Sequence, residues 1–270
     1  MVTPESLQWF GETDRGKVRA NNEDAFLGLR FDAHEILRLG KFGEAPIGNM
    51  DFVFAVSDGM GGAKAGEYAS RITIDKITTL LPRSFPHMAE GLAAGYEDVL
   101  TELFGEIHSA LTYVGSSYPE CAEMQATLSL CWLTPHWLYF AHIGDSRIYY
   151  QSERAGGIKR LTQDDTHVDW LYRNGQLNER EARSHPRRNM LQKALGGDNQ
   201  FVNPQFGAVA YEPGDIFVLC TDGLVEGLYD EQIVEQLRSA EPGSPAHRLV
   251  KESVEKCGRD NTTALVIQMA

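Results

Sequence analysis

The stretch FAVSDGMGG (Phe54 to Gly62) runs an apolar segment straight into an aspartate, Asp58, and then into glycines. IFVLCTDGL (Ile216 to Leu224) repeats the arrangement around Asp222, and LYFAHIGDSR (Leu138 to Arg147) reaches Asp145 after another apolar run. GRDNTTALVIQ (Gly258 to Gln268) places Asp260 just before one. One Asp-Gly pair is an ordinary turn. Four carboxylates at strand ends, far apart in sequence, constrain the fold more severely. If those ends meet, the charges repel unless something holds them together. Divalent cations remove the problem, because aspartate and backbone carbonyl oxygens are hard ligands suited to Mg²⁺ or Mn²⁺. A glycine beside the aspartate lets the backbone approach an ion. Histidine and cysteine clusters are missing from the sequence, which makes zinc a poor fit.

The rest of the chain predicts how such ends are supported. Residues 13–29 read as a strand, a polar loop and a second strand, and 31–50 as a surface insertion of helical and loop character. Residues 52–57 read as a strand. Gly66 to Leu81 reads as a helix with Ile74, Ile77 and Leu81 on one face, ended by Pro82. A longer helix is expected over about 88–114, where Leu92, Tyr96, Val99, Leu103, Ile107, Leu111 and Val114 form an apolar stripe suited to core packing. ATLSLCWL, WLYFAHIG and SRIYYQ then read as short strands, the first two joined by a turn at Thr134-Pro135-His136. Residues 164–195 are polar, helical and expected on the surface. GDIFVLCTD and TTALVIQM read as strands, EQIVEQLRSA and HRLVKESVEKCG as helices. Strands come in groups and helices in groups. This favours packed antiparallel sheets flanked by helices over an alternating parallel fold.

Composition narrows the function classes. With 270 residues, 42% of them hydrophobic, the chain can bury a substantial core in one large domain or two small ones. A net charge of −13 argues against a nucleic-acid partner. No apolar run approaches the ~20 residues of a membrane-spanning helix, and the opening MVTPESLQWF lacks signal-peptide character. The cysteines (Cys121, Cys131, Cys220, Cys257) have no CxxC spacing, which suits a reducing cytoplasm. DGMGGAKAG lies between a strand and a helix, but its glycines do not fit GxGxxG, and no GxxxxGK[ST] is present.

Taken in order, RANNEDAF, SDGMGG, GDSR, LTQDDTHVDWL with HPRRNMLQKALGG, TDGL and GRDNTT resemble the motifs of the metal-dependent, type-2C-like serine/threonine protein phosphatases in their bacterial form. The resemblance covers nearly the whole chain. It implies an α+β fold, a β-sandwich of two antiparallel sheets between helices (α-β-β-α), as a single phosphatase domain over 1–270 with a flap at about 164–195. It further implies two core Mn²⁺ or Mg²⁺ ions and a third, weaker one. Asp58 would bridge the core ions, the Gly59 carbonyl would bind the second, and Asp222 and Asp260 would complete the first. Asp145, with Asp222, would hold the third. Glu23 and Asp24 would act through coordinated water, Asn261 would brace its loop, and Arg19 would bind the substrate phosphate. Asp58, Asp222 and Arg19 would thus carry catalysis. Paired cations make water acidic enough to attack phosphorus near neutral pH, and an arginine fork can give a phosphate two parallel hydrogen bonds.

Several positions depart from the family pattern. Met60 stands where many eukaryotic relatives have a histidine, so the general acid is unassigned, with His142, His185 or a water as candidates. Met124-Gln125-Ala126-Thr127 replaces the usual Gly-Thr-Thr, and Asp165 replaces a flap histidine, with His167 two residues on. Arg19 could otherwise be one half of a surface ion pair, and the basic run Arg183 to Lys193 a solvated face. The expected activity is hydrolysis of phosphoserine and phosphothreonine in proteins, opposing a bacterial serine/threonine kinase, by a cytoplasmic monomer. The alternatives are a non-catalytic module of the same fold and a phosphatase dedicated to one partner, such as an anti-sigma-factor antagonist.

Overall fold

A computed structural model of the chain describes residues 4–32, 35–62, 64–89, 95–198 and 201–270. In chain order its strands are β1 Ser6–Asp14, β2 Asp24–Phe31, β3 Ile36–Arg38, β4 Phe42–Pro46, β5 Asp51–Met60, β6 Gln125–Ala126, β7 Leu128–Leu133, β8 Trp137–Ile143, β9 Arg147–Gln151, β10 Ile158–Arg160, β11 Leu195–Gly196, β12 Gln205–Ala210, β13 Ile216–Cys220 and β14 Thr262–Met269. Its α-helices are α1 Ala65–Ala89, α2 Tyr96–Ser117, α3 His167–Arg173, α4 Glu179–Ser184, α5 Asp222–Gly227, α6 Asp230–Arg238 and α7 Pro245–Lys256.

The strands make two antiparallel sheets. One has the order β10-β9-β13-β14-β1-β4; the other runs β3-β2-β5-β7-β8-β12, with β6 and β11 continuing from the end of β5. Alternation along each central strand sorts its side chains between two cores. On β5, Phe52, Phe54 and Val56 face the other sheet, while Val53 and Ala55 face α1 and α2. On β13 and β14, Phe217, Leu219, Leu265 and Ile267 fill the same inter-sheet layer, and Val218, Cys220, Ala264 and Val266 pack under α5, α6 and α7. Burial on both faces explains why these strands read as continuous apolar runs. The α-β-β-α sandwich expected from the sequence is the architecture observed.

Four local expectations change. Residues 31–50 lie largely at the surface as expected, but the described ones are not helical: they supply β3 and β4, which extend β2 and β1 at the sheet edges. Ala45 and Ile47 are buried in the inter-sheet core, and Trp9 Nε1 donates to the Gly40 carbonyl at 2.9 Å. Pro82 does not end α1, which continues to Ala89. Proline removes one interior hydrogen bond, and the buried Ile74, Ile77 and Leu81 anchor the preceding turns. The next helix begins at Tyr96, not near 88, with Val99, Leu103, Ile107 and Leu111 buried; Leu92 lies outside the described residues. The flap is surface only in part: Asp164, Thr166, Val168 and Asp169 at its root are buried. Among the described residues, no helix is long and apolar enough to cross a membrane.

Asp51, at the start of β5, is a buried acid of this scaffold. Trp132 Nε1 donates to its Oδ2 at 2.9 Å, yet burial lifts its pKa to about 6. An unfolded aspartate titrates near ~3.9. Between those values the folded chain keeps a proton that the unfolded chain has lost, so this group's contribution falls as pH rises from about 4 to about 6. Asp51→Asn keeps an acceptor for Trp132 and removes the charge. We expect it to raise unfolding free energy at pH 7 by about 1–2 kcal/mol, with a smaller gain at pH 5, in urea melts at both pH values. A loss of stability at pH 7 would refute this account.

Candidate metal centre

Register brings the predicted aspartates to one end of the sandwich. Cys220 of β13 pairs with Ala264 on one side and Arg147 on the other. Asp222, Asp260 and Asp145 therefore all lie just beyond the same end of that sheet. In the other sheet, Asp24 of β2 is paired directly opposite Asp58 of β5. Glu23, Asp58, Gly59, Asp145, Asp222 and Asp260 line one cleft of about 630 Å³, together with Arg19, Met60, Lys64 and Asn189.

The electrostatics follow from that crowding. Burial, then the charges of Asp24, Asp222, Asp145 and Asp260, push the Asp58 carboxyl well above the usual carboxylate range. Asp222 is raised for the same reasons, burial first and then Asp145 and Asp260. Burial lifts both Asp24 and Asp145 to about 7. Among the described residues, no three histidine, cysteine or acidic side chains stand close enough to grip one ion in the present arrangement. Two observations nevertheless fit hard cations. Asp222 Oδ1 and Asp24 Oδ1 are buried without a hydrogen-bond partner among the described residues, although buried polar atoms are rarely left so. The donor set is also all oxygen, as Mg²⁺ and Mn²⁺ prefer.

The supporting residues were only partly legible in the sequence. Asp24 Oδ2 accepts from Thr221 Oγ1 and Thr263 Oγ1, each at 2.7 Å, which ties β2 to the opposite sheet. Both threonines stand in the TDGL and GRDNTT motifs, but their role needed the sheet register. Asp58 N–H donates to Thr127 Oγ1 at 3.0 Å, and Thr127 N–H to the Asp58 carbonyl at 2.8 Å. Asn261 accepts Glu23 N–H at 2.8 Å and donates to the carbonyls of Arg15 and Asn21, each at 2.9 Å. Gly59 and Gly66 cross so closely that a Cβ on Gly59 would lie 1.8 Å from the Gly66 carbonyl oxygen. The glycine after Asp58 thus lets α1 start against the end of β5.

Arg19 and the two candidate histidines each have partners within the chain. Arg19 donates to Asp260 Oδ2 at 2.6 Å and lies 4.0 Å from Glu23. His142 is fully buried, with Nδ1 against Ser129 Oγ at 2.8 Å and Nε2 against the Gly144 carbonyl at 3.1 Å. Burial lowers its pKa. His185 Nδ1 accepts Arg187 N–H at 3.1 Å. No histidine is among the described residues lining the cleft. The basic run is not simply solvated. Arg188 pairs with Glu226 at 2.6 Å, Arg183 stacks 3.9 Å over the Tyr229 ring, and Lys193 pairs with Asp165 at 3.1 Å. Asn189, hidden in that run, donates to Asp222 Oδ2 at 3.4 Å and to Glu226 Oε1 at 3.2 Å. A second cleft of about 780 Å³ between the flap and α5 joins the first at Asp145, Asn189 and Asp222.

Comparison with known proteins agrees with this architecture. The chain is 33% identical over 264 residues to the serine/threonine protein phosphatase PstP of Mycobacterium tuberculosis, an alignment covering 96% of the chain and 44% of that relative's length. It is 28% identical over 257 residues to the serine/threonine phosphatase stp of Listeria monocytogenes, covering 95% of the chain and 93% of the relative. The crystal structure of a PstP catalytic domain in complex with two manganese ions matches with a TM-score of 0.77 at 29% identity, covering 97% of this chain and 98% of that one. A sequence model of the protein phosphatase 2C family matches residues 46–264, and the chain belongs to that family.

Proposed function

We propose that this chain, as one phosphatase domain, hydrolyses phosphoserine and phosphothreonine in proteins with the help of divalent cations. The observation that carries the reading is the set of buried, mutually repelling carboxylates delivered to one cleft from the strand ends of both sheets. Relatives bearing the serine/threonine phosphatase name along almost the whole chain support it. The chain spans 44% of the length of the mycobacterial relative, so the proposal concerns the activity of this chain.

Asp58, the Gly59 carbonyl, Asp222 and Asp260 would hold two core ions, either Mn²⁺ or Mg²⁺, and Asp145 with Asp222 a third. When bound, such cations acidify coordinated water toward neutrality and offset phosphate charge. Glu23 and Asp24 orient water from the β2 side, where Thr221 and Thr263 hold Asp24 at one oxygen. Asn261 fixes the loop carrying Glu23. Arg19 supplies a planar donor fork for the phosphoryl oxygens. Met60 lines the cleft and has no proton to give, so the leaving oxygen takes its proton from water. The second cleft receives the protein chain on either side of the phosphoresidue. A cognate serine/threonine kinase, a cytoplasmic location and a monomeric state complete the reading.

Two measurements check it. With a phosphothreonine peptide, Asp222→Asn should reduce Mn²⁺-dependent turnover by about 100-fold or more while the chain stays folded. A folded, Mn²⁺-bound wild type without turnover would instead mark a regulatory binding module. The second is pH linkage. Burial lifts Asp145, a proposed ligand, to about 7, and a cation takes only the ionised carboxylate. Mn²⁺ binding should therefore release protons and weaken as pH falls from 8 to 6, with a slope that approaches about tenfold per unit below pH 7 for each proton displaced. Calorimetry in two buffers of different ionisation enthalpy reads the proton count; a count of zero would contradict the assignment.

A further inference from the structure

Arg19 does not wait in the cleft as a free donor. Its Nη2 lies 2.6 Å from Asp260 Oδ2, and the other oxygen, Oδ1, accepts Asn261 N–H at 2.8 Å. Both oxygens of this carboxylate thus have a protein donor. The two donors differ in freedom. The Asn261 backbone is fixed by its own side chain, which spans Arg15, Asn21 and Glu23. The Arg19 side chain is 48% exposed and hangs from a loop between β1 and β2. Of the two, Arg19 is the one that can leave. Its single charge, spread over a guanidinium, is also the weaker match for a carboxylate facing other carboxylates; a divalent cation at the same oxygen interacts more strongly.

We propose that Arg19 is an exchangeable counter-ion: it occupies Asp260 until a divalent cation takes that oxygen, and the displaced guanidinium is then free for the phosphate. The inference rests on the phosphatase reading in taking Asp260 as a cation ligand and Arg19 as the phosphate donor. It makes Asp260 and an anion rivals for Arg19, because the Nη2 that holds Asp260 is half of the fork a phosphate would use. It also fixes a sign. An arginine that merely held Asp260 in a ligating pose would aid cation binding, whereas an exchangeable one competes with it.

Mn²⁺ affinity of the full chain, measured by calorimetry and by electron paramagnetic resonance of free Mn²⁺ at fixed ionic strength, tests this without reference to turnover. Arg19→Gln should bind the first Mn²⁺ about two- to fivefold more tightly than wild type, the range of a partly exposed ion pair. Arg19→Lys, which keeps the charge but loses the fork, should fall between them and serves if the glutamine variant does not fold. Lys64→Gln is the control for the general field: Lys64 lines the same cleft and has no carboxylate partner among the described residues. It should change affinity by less than about twofold. Unchanged or weaker binding in Arg19→Gln, or equal tightening in Lys64→Gln, would overturn the proposal alone. A folded wild type that binds no Mn²⁺ would overturn the phosphatase reading with it.

Discussion

The fold carries a repulsion. Asp58, Asp145, Asp222 and Asp260 converge from separate strand ends, and the last three each raise the proton affinity of Asp58. A flexible scaffold would let them drift apart. Here the central strands β5, β13 and β14 are buried on both faces, so a carboxylate at their ends is held by core packing that cannot relax cheaply. The three apolar layers and the acidic cleft are two consequences of one arrangement. The strands are fixed where they are apolar, and their ends are thereby fixed where they are charged.

The two sheets are also joined through the site itself. Asp24 belongs to one sheet, and its carboxylate is gripped by Thr221 and Thr263 from the other. Thr13 Oγ1, in turn, lies 2.7 Å from Thr263 Oγ1. This small hydroxyl network closes the open end of the sandwich where inter-sheet hydrophobic packing gives way to the cleft. It leaves Asp24 Oδ1 buried and without a partner among the described residues, where buried polar atoms are ordinarily satisfied. Support for the scaffold and incompleteness of the site thus meet in one side chain.

How much of this was legible in sequence depended on the range of the interaction. Strands buried on both faces announce themselves as apolar runs, and Asp58, Asp222 and Asp260 stood out because charge interrupts or flanks those runs. The edge strand β4 did not, because GKFGEAP mixes glycine, charge and proline, and its pairing with β1 depends on neighbours more than 30 residues away. Pro82 misled for a related reason: local propensity ends a helix there, and packing of the preceding face overrides it. Asn189 was invisible inside a basic run. Nothing in HPRRNMLQK distinguishes the one amide that reaches Asp222 from the cations around it.

That amide shows how the flap and the cleft share a part. Helix α5 is short, Asp222 to Gly227, and presents Asp222 to the cleft from its first residue. One turn later Glu226 receives Arg188 and Asn189 from the flap, while Arg183 reaches the carbonyls of Glu226 and Leu228 at the helix end. The inner side of the same helix is held by Leu224 in the outer core and by Ser253, whose hydroxyl donates to the Gly223 carbonyl at 2.9 Å. A segment of six residues therefore has a rigid face toward the sandwich and a charged face toward the flap, with a proposed cation ligand at its start. Any shift of the flap that breaks the Arg188–Glu226 pair acts on the element that carries Asp222, and the shift is opposed by α7 through Ser253. Leu224 and Ser253 thus hold the start of α5, and with it Asp222, from the side away from the flap contacts at Glu226.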